Sequence, residues 1–270
     1  MYYRWVRKTT FFIKKHLHYL LAMVFGVIMT EPLTYLKVIY LYPKGKRDPF
    51  HMFGANPLSL SAKQLEERPV LLIHGKAHNQ SAWIPLLKFL SHQTSRPMFT
   101  LNLQYDGDHL VAKEKIISKI EEIKRLYASY GKHNIVVDLI GHSRGCLAIS
   151  LAAMDSEAWC LEKGGRVRFK MKPKWRDDFG IFIRMGNPAS YWERGWMPAD
   201  ILERCYEIDA IKDVLSADFS QAKGKHRIRI NTGHLGLLFS KESHQAILNI
   251  LNKAHALATL EKMKILANRT

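Results

Sequence analysis

Val136-Val137-Asp138-Leu139-Ile140-Gly141-His142-Ser143-Arg144-Gly145 decides the fold. An apolar run stops in Gly-His-Ser-Arg-Gly, and a helix-compatible run follows at once, Cys146-Leu147-Ala148-Ile149-Ser150-Leu151-Ala152-Ala153. The stretch reads as strand, sharp turn and helix, with one serine at the apex, the pattern G-x-S-x-G. A serine on so tight a turn sits in strained backbone, which demands small residues two places before and after it. Gly141 and Gly145 occupy those places. The turn throws the hydroxyl clear of the sheet. The first helical amides, free donors at the positive end of a helix dipole, point at the same spot and suit a developing oxyanion.

Outward from this stretch the pattern repeats on both sides. Toward the N-terminus, Pro69 to Lys76 reads as a short buried strand running into His74-Gly75. Ser81 is the expected cap of a helix whose Trp83, Leu86, Leu87 and Leu90 fall at helical spacing. A strand is expected over Phe99 to Leu103, then a helix from Leu110 to Tyr127 with Ile116, Ile120, Ile123 and Tyr127 on one face. Toward the C-terminus, strands are expected over Gly180 to Met185, Arg204 to Ile208 and Arg227 to Ile230, followed by a long helix from Ser243 to Leu266. Strands alternating with helices imply an α/β fold, a mostly parallel sheet with helices on both faces.

A chain of 270 residues holds one large domain and an appendage. Its three cysteines are widely spaced and odd in number, so neither a disulfide framework nor a zinc site is indicated. The formal charge of +17 fits nucleic acid, an anionic membrane surface, an acidic substrate or plain solubility. No zinc finger, RNA-binding aromatic signature or long basic helix accompanies it, which argues against specific nucleic-acid binding.

The first 42 residues read as a basic and apolar membrane-associating segment. Arg4, Arg7, Lys8, Lys14 and Lys15 precede an apolar run from Leu17 to Met29. That run is shorter than the ~20 residues needed to span a bilayer, and a longer span would bury Lys14 and Lys15, or Glu31. A retained signal-anchor or an interfacial helix on anionic lipid is the expectation, with a helix packed on the domain itself as the alternative. Tyr35 to Tyr42 either extends this element or adds an edge strand. Residues 43–67 read as a linker rich in Pro and Gly, and residues 68–270 as the main domain. Within that domain, 155–178 is a basic insertion. From Arg166 to Lys172 its cations alternate with Val167, Phe169 and Met171, the period of an exposed strand or hairpin.

With these motifs in order, residues 68–255 resemble the α/β-hydrolase superfamily, particularly its lipase and esterase branch. His74-Gly75 follows an early strand, the elbow surrounds Ser143, and acid and histidine stand at the ends of later strands. The resemblance implies Ser143 as nucleophile and His234, in the loop after the last strand, as its base. For the acid that holds the imidazole it implies Asp213, with Asp209 and then Asp218 as alternatives. It implies an oxyanion hole made by the backbone amides of Lys76 and Arg144, with His74 and His78 shaping that loop and His142 serving packing. Cys146 stands where a second glycine is frequent, and Gly186-Asn187-Pro188 where many lipases have Ser-Pro-His, which argues against a true triacylglycerol lipase.

The implied activity is cleavage of carboxylic esters, lipid-like acyl esters among them, through an acyl-enzyme, with no metal or organic cofactor. An acyltransferase or peptidase on the same three residues, or a non-catalytic membrane-attached scaffold, are the alternatives. The basic insertion lies where this fold commonly inserts a cap, and is expected to act as a lid that meets lipid.

Overall fold

Val70, Leu71, Leu72 and Ile73 are all fully buried, as only a central strand covered on both faces can be. They form β1 (Val70–Ile73) of a computed structural model that describes residues 31–46, 55–103, 109–154, 159–162, 166–169, 176–187, 199–213 and 226–267. The apolar run from Leu17 to Met29, Asp218 and the basic insertion's lysines lie outside those residues.

Ahead of β1 come α1 (Pro32–Leu41), a 3-10 turn (Tyr42–Lys46) and the single turn α2 (Ala62–Leu65). After it come a 3-10 turn (Gln80–Trp83), α3 (Ile84–Leu90), β2 (Met98–Leu101), α4 (His109–Ala128), β3 (Val137–His142) and α5 (Arg144–Ala153). The chain continues through β4 (Trp159–Glu162), β5 (Arg166–Phe169), β6 (Phe179–Met185), α6 (Ala199–Glu203), β7 (Cys205–Ala210), β8 (His226–Ile230), a 3-10 turn (Leu235–Leu238) and α7 (Lys241–Ala267). Six strands pair in the order β2-β1-β3-β6-β7-β8, every pair parallel. The antiparallel hairpin β4–β5 stands apart from this sheet, and its second strand covers Arg166–Phe169, the first part of the stretch expected to form a strand or hairpin, whose remaining residues lie outside the described ones.

Alternation of side chains sorts the core into two layers. Val70, Leu72, Ile140, Ile183 and Ile208 pack against Trp83, Leu86 and Leu90 around α3 and Ile247 and Leu251 of α7. Leu71, Ile73, Val137 and Leu139 face the other way, onto Ile116, Ile120 and Ile123 of α4 and Ala148, Ile149 and Ala152 of α5. The chain leaves β1 for β2 on one side and returns to β3 on the other. The carboxyl ends of β1 and β3 therefore flank a topological switch point, where open α/β sheets form their crevice.

Two local expectations change. Ser81 does not cap the helix before β2: it lies within the 3-10 turn, which Asn79 caps by accepting from the Ser81 amide at 3.0 Å, while α3 itself starts after Trp83 with no side-chain cap and a proline in its first turn. The Ser81 hydroxyl is buried and donates to the same Asn79 oxygen at 2.6 Å. Residues 35–42 belong to a helix and its trailing turn, not to an edge strand, because Pro32 sits at the helix start and no strand partner is offered. Asn79 and Gln80 donate to the carbonyls of Tyr42 and Gly45 and so fasten the end of that element to the sheet domain.

At the end of β3 opposite the elbow, Asp138 is fully buried. It accepts from the Ile181 amide at 2.9 Å and pairs with Arg96. The pairing of β3 with β6 slips by one residue there, with Val137 opposite Phe179 and Leu139 opposite Phe182. The extra residue in β6 is the bulge that turns the Ile181 amide onto the carboxylate.

Candidate active site

The site is built on the ends of β1, β3, β6, β7 and β8. At the end of β3, Ser143 has φ 53° and ψ −125°, a left-handed backbone that a side-chain-bearing residue adopts only under constraint. The constraint is packing. A Cβ on Gly145 would lie 2.4 Å from the Ile73 carbonyl oxygen, and one on Gly141 would lie 2.9 Å from the Cys146 nitrogen. Gly145 is needed because the first turn of α5 crosses directly over the end of β1, and Gly141 because the same turn folds back onto the end of β3. The Ser143 amide donates to the Met185 carbonyl at 2.8 Å, which fastens the apex to the end of β6.

At the end of β1, Gly75 comes so close to the apex that a Cβ there would meet the Ser143 Cβ at 2.8 Å. The loop is held by His74, which is fully buried. Its Nε2 accepts from the Leu103 amide at 2.9 Å, so Nδ1 carries the proton and donates to the Gly75 carbonyl at 2.8 Å. Burial lowers His74 to about 4 and keeps it neutral near pH 7. His78, further along the loop, is likewise lowered to about 4 by burial. Its Nδ1 accepts from the Asn79 amide, and its Nε2 has no partner among the described residues. Lys76 is exposed and Arg144 half-buried; Arg144 directly follows the apex serine, and Lys76 follows Gly75, the residue that packs against it.

After β8, His234 is buried and its Nδ1 donates to Asp213 Oδ2 at 2.7 Å. Asp213 is buried just past β7. Asp209, the nearer acid to the strand end, is engaged by Arg227 on β8 instead. Burial raises the Asp209 carboxyl from its ordinary value. The imidazole also lies against the end of β6: a Cβ on Gly186 would stand 3.0 Å from its Nδ1 and Cε1. Ser143 and His234 thus share the Met185–Gly186 step, one through a backbone hydrogen bond and the other through ring contact. Among the described hydrogen bonds the Ser143 hydroxyl is not joined to the His234 ring.

His142 is the packing residue its place in the elbow implies. Its ring lies 4.8 Å from that of His234, centroid to centroid, and its Nε2 donates to the His234 carbonyl at 3.1 Å. Burial holds it well below the ordinary histidine value, so it is a neutral prop.

One residue of the site has no counterpart in the sequence analysis. Glu31, just ahead of α1, is buried against the turn that follows His234. The signal that would find it is local: it is the first acid of the chain, set in an apolar segment. Among the described residues no group of His, Cys, Asp and Glu side chains is arranged to hold a metal ion, and no helix is long and apolar enough to cross a membrane.

No family model matches the sequence, and no curated protein matches it. Solved structures match by shape. An esterase from Rhizomucor miehei aligns over 73% of this chain and 78% of its own, with 14% identity and a TM-score of 0.50. A lipase from Bacillus licheniformis aligns over 73% and 96%, with 12% identity and a TM-score of 0.45. A bifunctional GH43-CE protein of Bacteroides eggerthii aligns over 76% of this chain but only 35% of its own, with 12% identity and a TM-score of 0.49. At such identities the likeness is one of fold. Six parallel strands in this order, with a constrained serine turn after the third, agree with that likeness: the chain has the α/β-hydrolase fold.

Proposed function

We propose that the protein is a serine hydrolase that cleaves carboxylic esters through Ser143, His234 and Asp213. The observation that carries this reading is the buried 2.7 Å bond between His234 Nδ1 and Asp213, made beside a serine in strained backbone. That bond fixes the tautomer and leaves Nε2 as the basic nitrogen. In the proposed reaction His234 takes the hydroxyl proton while Ser143 Oγ bonds to the ester carbonyl carbon. The oxyanion is met by the amides of Arg144 and Lys76. Collapse expels the alkoxide, which leaves with the proton from His234. Water, deprotonated by the same imidazole, then breaks the acyl-enzyme and releases the acid.

Lipid-like substrates at an anionic surface belong to the same proposal. Leu33, Leu36 and Tyr40 of α1 are exposed at 73%, 61% and 70%, an apolar face unusual for a solvated helix. Lys44 lies 4.6 Å over the Tyr40 ring and Lys46 over Tyr42, so cations rim that face and complement anionic lipid.

A fluorophosphonate probe and graded acyl esters, with and without phosphatidylglycerol vesicles, test the reading. Labelling and ester turnover are expected in the native chain, absent in Ser143→Ala, and increased by vesicles for the longer esters. A folded native chain that takes no label rules out the hydrolase in favour of a scaffold. Label without ester turnover points to a peptidase or acyltransferase.

A further inference from the structure

The mechanism above leaves one buried ionisable group beside the site unused. Glu31 is 8% exposed, and its backbone carbonyl starts α1 by accepting from the Tyr35 amide at 2.9 Å. Its side chain makes no cap to its own helix. It reaches instead to the turn after His234, where Oε1 accepts from the Leu235 amide at 3.2 Å and Oε2 from the Gly236 amide. These amides open the 3-10 turn whose first flanking residue is His234.

The turn is shaped to receive this carboxylate. A Cβ on Gly233 would lie 2.0 Å from Glu31 Oε1, and one on Gly236 would lie 3.0 Å from Oε2. Thr232-Gly233-His234-Leu235-Gly236 therefore lacks side chains at the two places where the carboxylate enters. Burial raises the Glu31 carboxyl from its ordinary value, while the two amides and the neighbouring His234 oppose that rise. Two backbone donors converging on two oxygens need a carboxylate, because an amide side chain offers only one acceptor.

We propose that Glu31 is a positioning residue for His234: supplied by the N-terminal segment, it clamps the His234–Gly236 turn and so holds the imidazole in its working place. The inference rests on the hydrolase reading of Ser143, His234 and Asp213. Asp213 orients the ring through Nδ1, while Glu31 fixes the main chain that carries the ring. Because Glu31 heads α1, a displacement of that helix displaces the base. The N-terminal element is thereby part of the site as well as an appendage.

The test uses the full chain with Glu31→Gln, Glu31→Ala and Ser143→Ala. It reads fluorophosphonate labelling, p-nitrophenyl butyrate turnover from pH 5 to 9, and thermal melting. The charged and titratable groups around the centre, Asp213, Asp209, His142 and His78, with Lys37 over Phe239 on the same face of α1, stay unchanged in these variants. Glu31→Gln is expected to stay folded with its melting temperature lowered by a few degrees, keep KM, and lose about 10- to 100-fold in kcat, as for one charged hydrogen bond. The acid-side inflection of its pH–rate profile is expected at lower pH, since removing a neighbouring negative charge disfavours the imidazolium. Glu31→Ala is expected to lose at least as much.

A folded Glu31→Gln with native kcat and an unmoved profile overturns the proposal. So does a loss confined to KM, or failure of both variants to fold, which would make Glu31 a structural cap alone. A native chain that takes no label, or label that survives Ser143→Ala, overturns the hydrolase reading and this inference with it. A labelled native chain beside an unaffected Glu31→Gln removes only the role of Glu31.

Discussion

At the scale of single residues, two aspartates four positions apart divide the work. Asp213 is bonded to the His234 ring, and Asp209 to the Arg227 side chain. Sequence offers both, because each stands just past or within the same strand. The choice follows from where β8 lies: pairing of Asp209 with Arg229 in the ladder brings the Arg227 guanidinium to the nearer acid, and only the farther one is left to the histidine. Asp213→Asn is therefore expected to lower ester turnover about 10³- to 10⁴-fold by upsetting the tautomer. Asp209→Asn, which loosens a partly exposed ion pair, is expected to lose less than about tenfold. Steady-state kinetics on a soluble ester separate the two, and a reversed order would move the acid's role to Asp209.

At the scale of elements, the crossing of α5 over the end of β1 is what strains the serine turn. Gly145 has backbone oxygens of Ile73 and His74 within 2.8 Å of where a Cβ would stand, and backbone cannot step aside as a flexible side chain can. Gly145→Ala is expected to cost at least about 2 kcal/mol and to displace the turn. Gly131, which ends α4 at φ +73° with open space around it, carries only the conformational penalty, about 1 kcal/mol for Gly131→Ala. Urea unfolding of the two variants checks the difference; equal costs would mean that the crossing is slack. The G-x-S-x-G spacing and the flanking apolar runs made this element legible in sequence, although only Gly141 answers to contacts within the strand–turn–helix unit and Gly145 answers to β1. The cap of the 3-10 turn ahead of α3 was less legible. Asn79 and Ser81 both suit a cap, and the 3-10 turn that decides between them depends on how the loop is tied to Tyr42 and Gly45.

At the scale of the whole molecule, burial of neutral histidines sets an acid limit on stability. His74 and His78 fall from 6.5 to about 4 through desolvation, and His142 and His244 are lowered by the same cause. Between those values the unfolded chain binds more protons than the folded one, so stability is complete above about pH 6.5 and is lost as pH falls toward 4. His74 alone contributes a loss of up to about 3 kcal/mol across that window. Glu31 and Asp209, raised by burial, act in the opposite direction just above pH 4.5 and 3.8, their ordinary values, but they are two groups against four. The urea midpoint is expected to drop clearly between pH 7.5 and pH 5. A midpoint that holds or rises would show that these rings are hydrated in solution.

By itself the sequence determined the α/β class, the serine turn and the order of its companions along the chain. Those properties live in periodicity and in short-range sterics, where a residue's neighbours in sequence are also its neighbours in space. Tertiary structure alone decided which aspartate meets His234 and that Glu31 reaches across some two hundred residues to the turn after it. Contacts between distant segments depend on strand order and on the space that glycines such as Gly233 and Gly236 leave open, and neither is encoded in any local pattern.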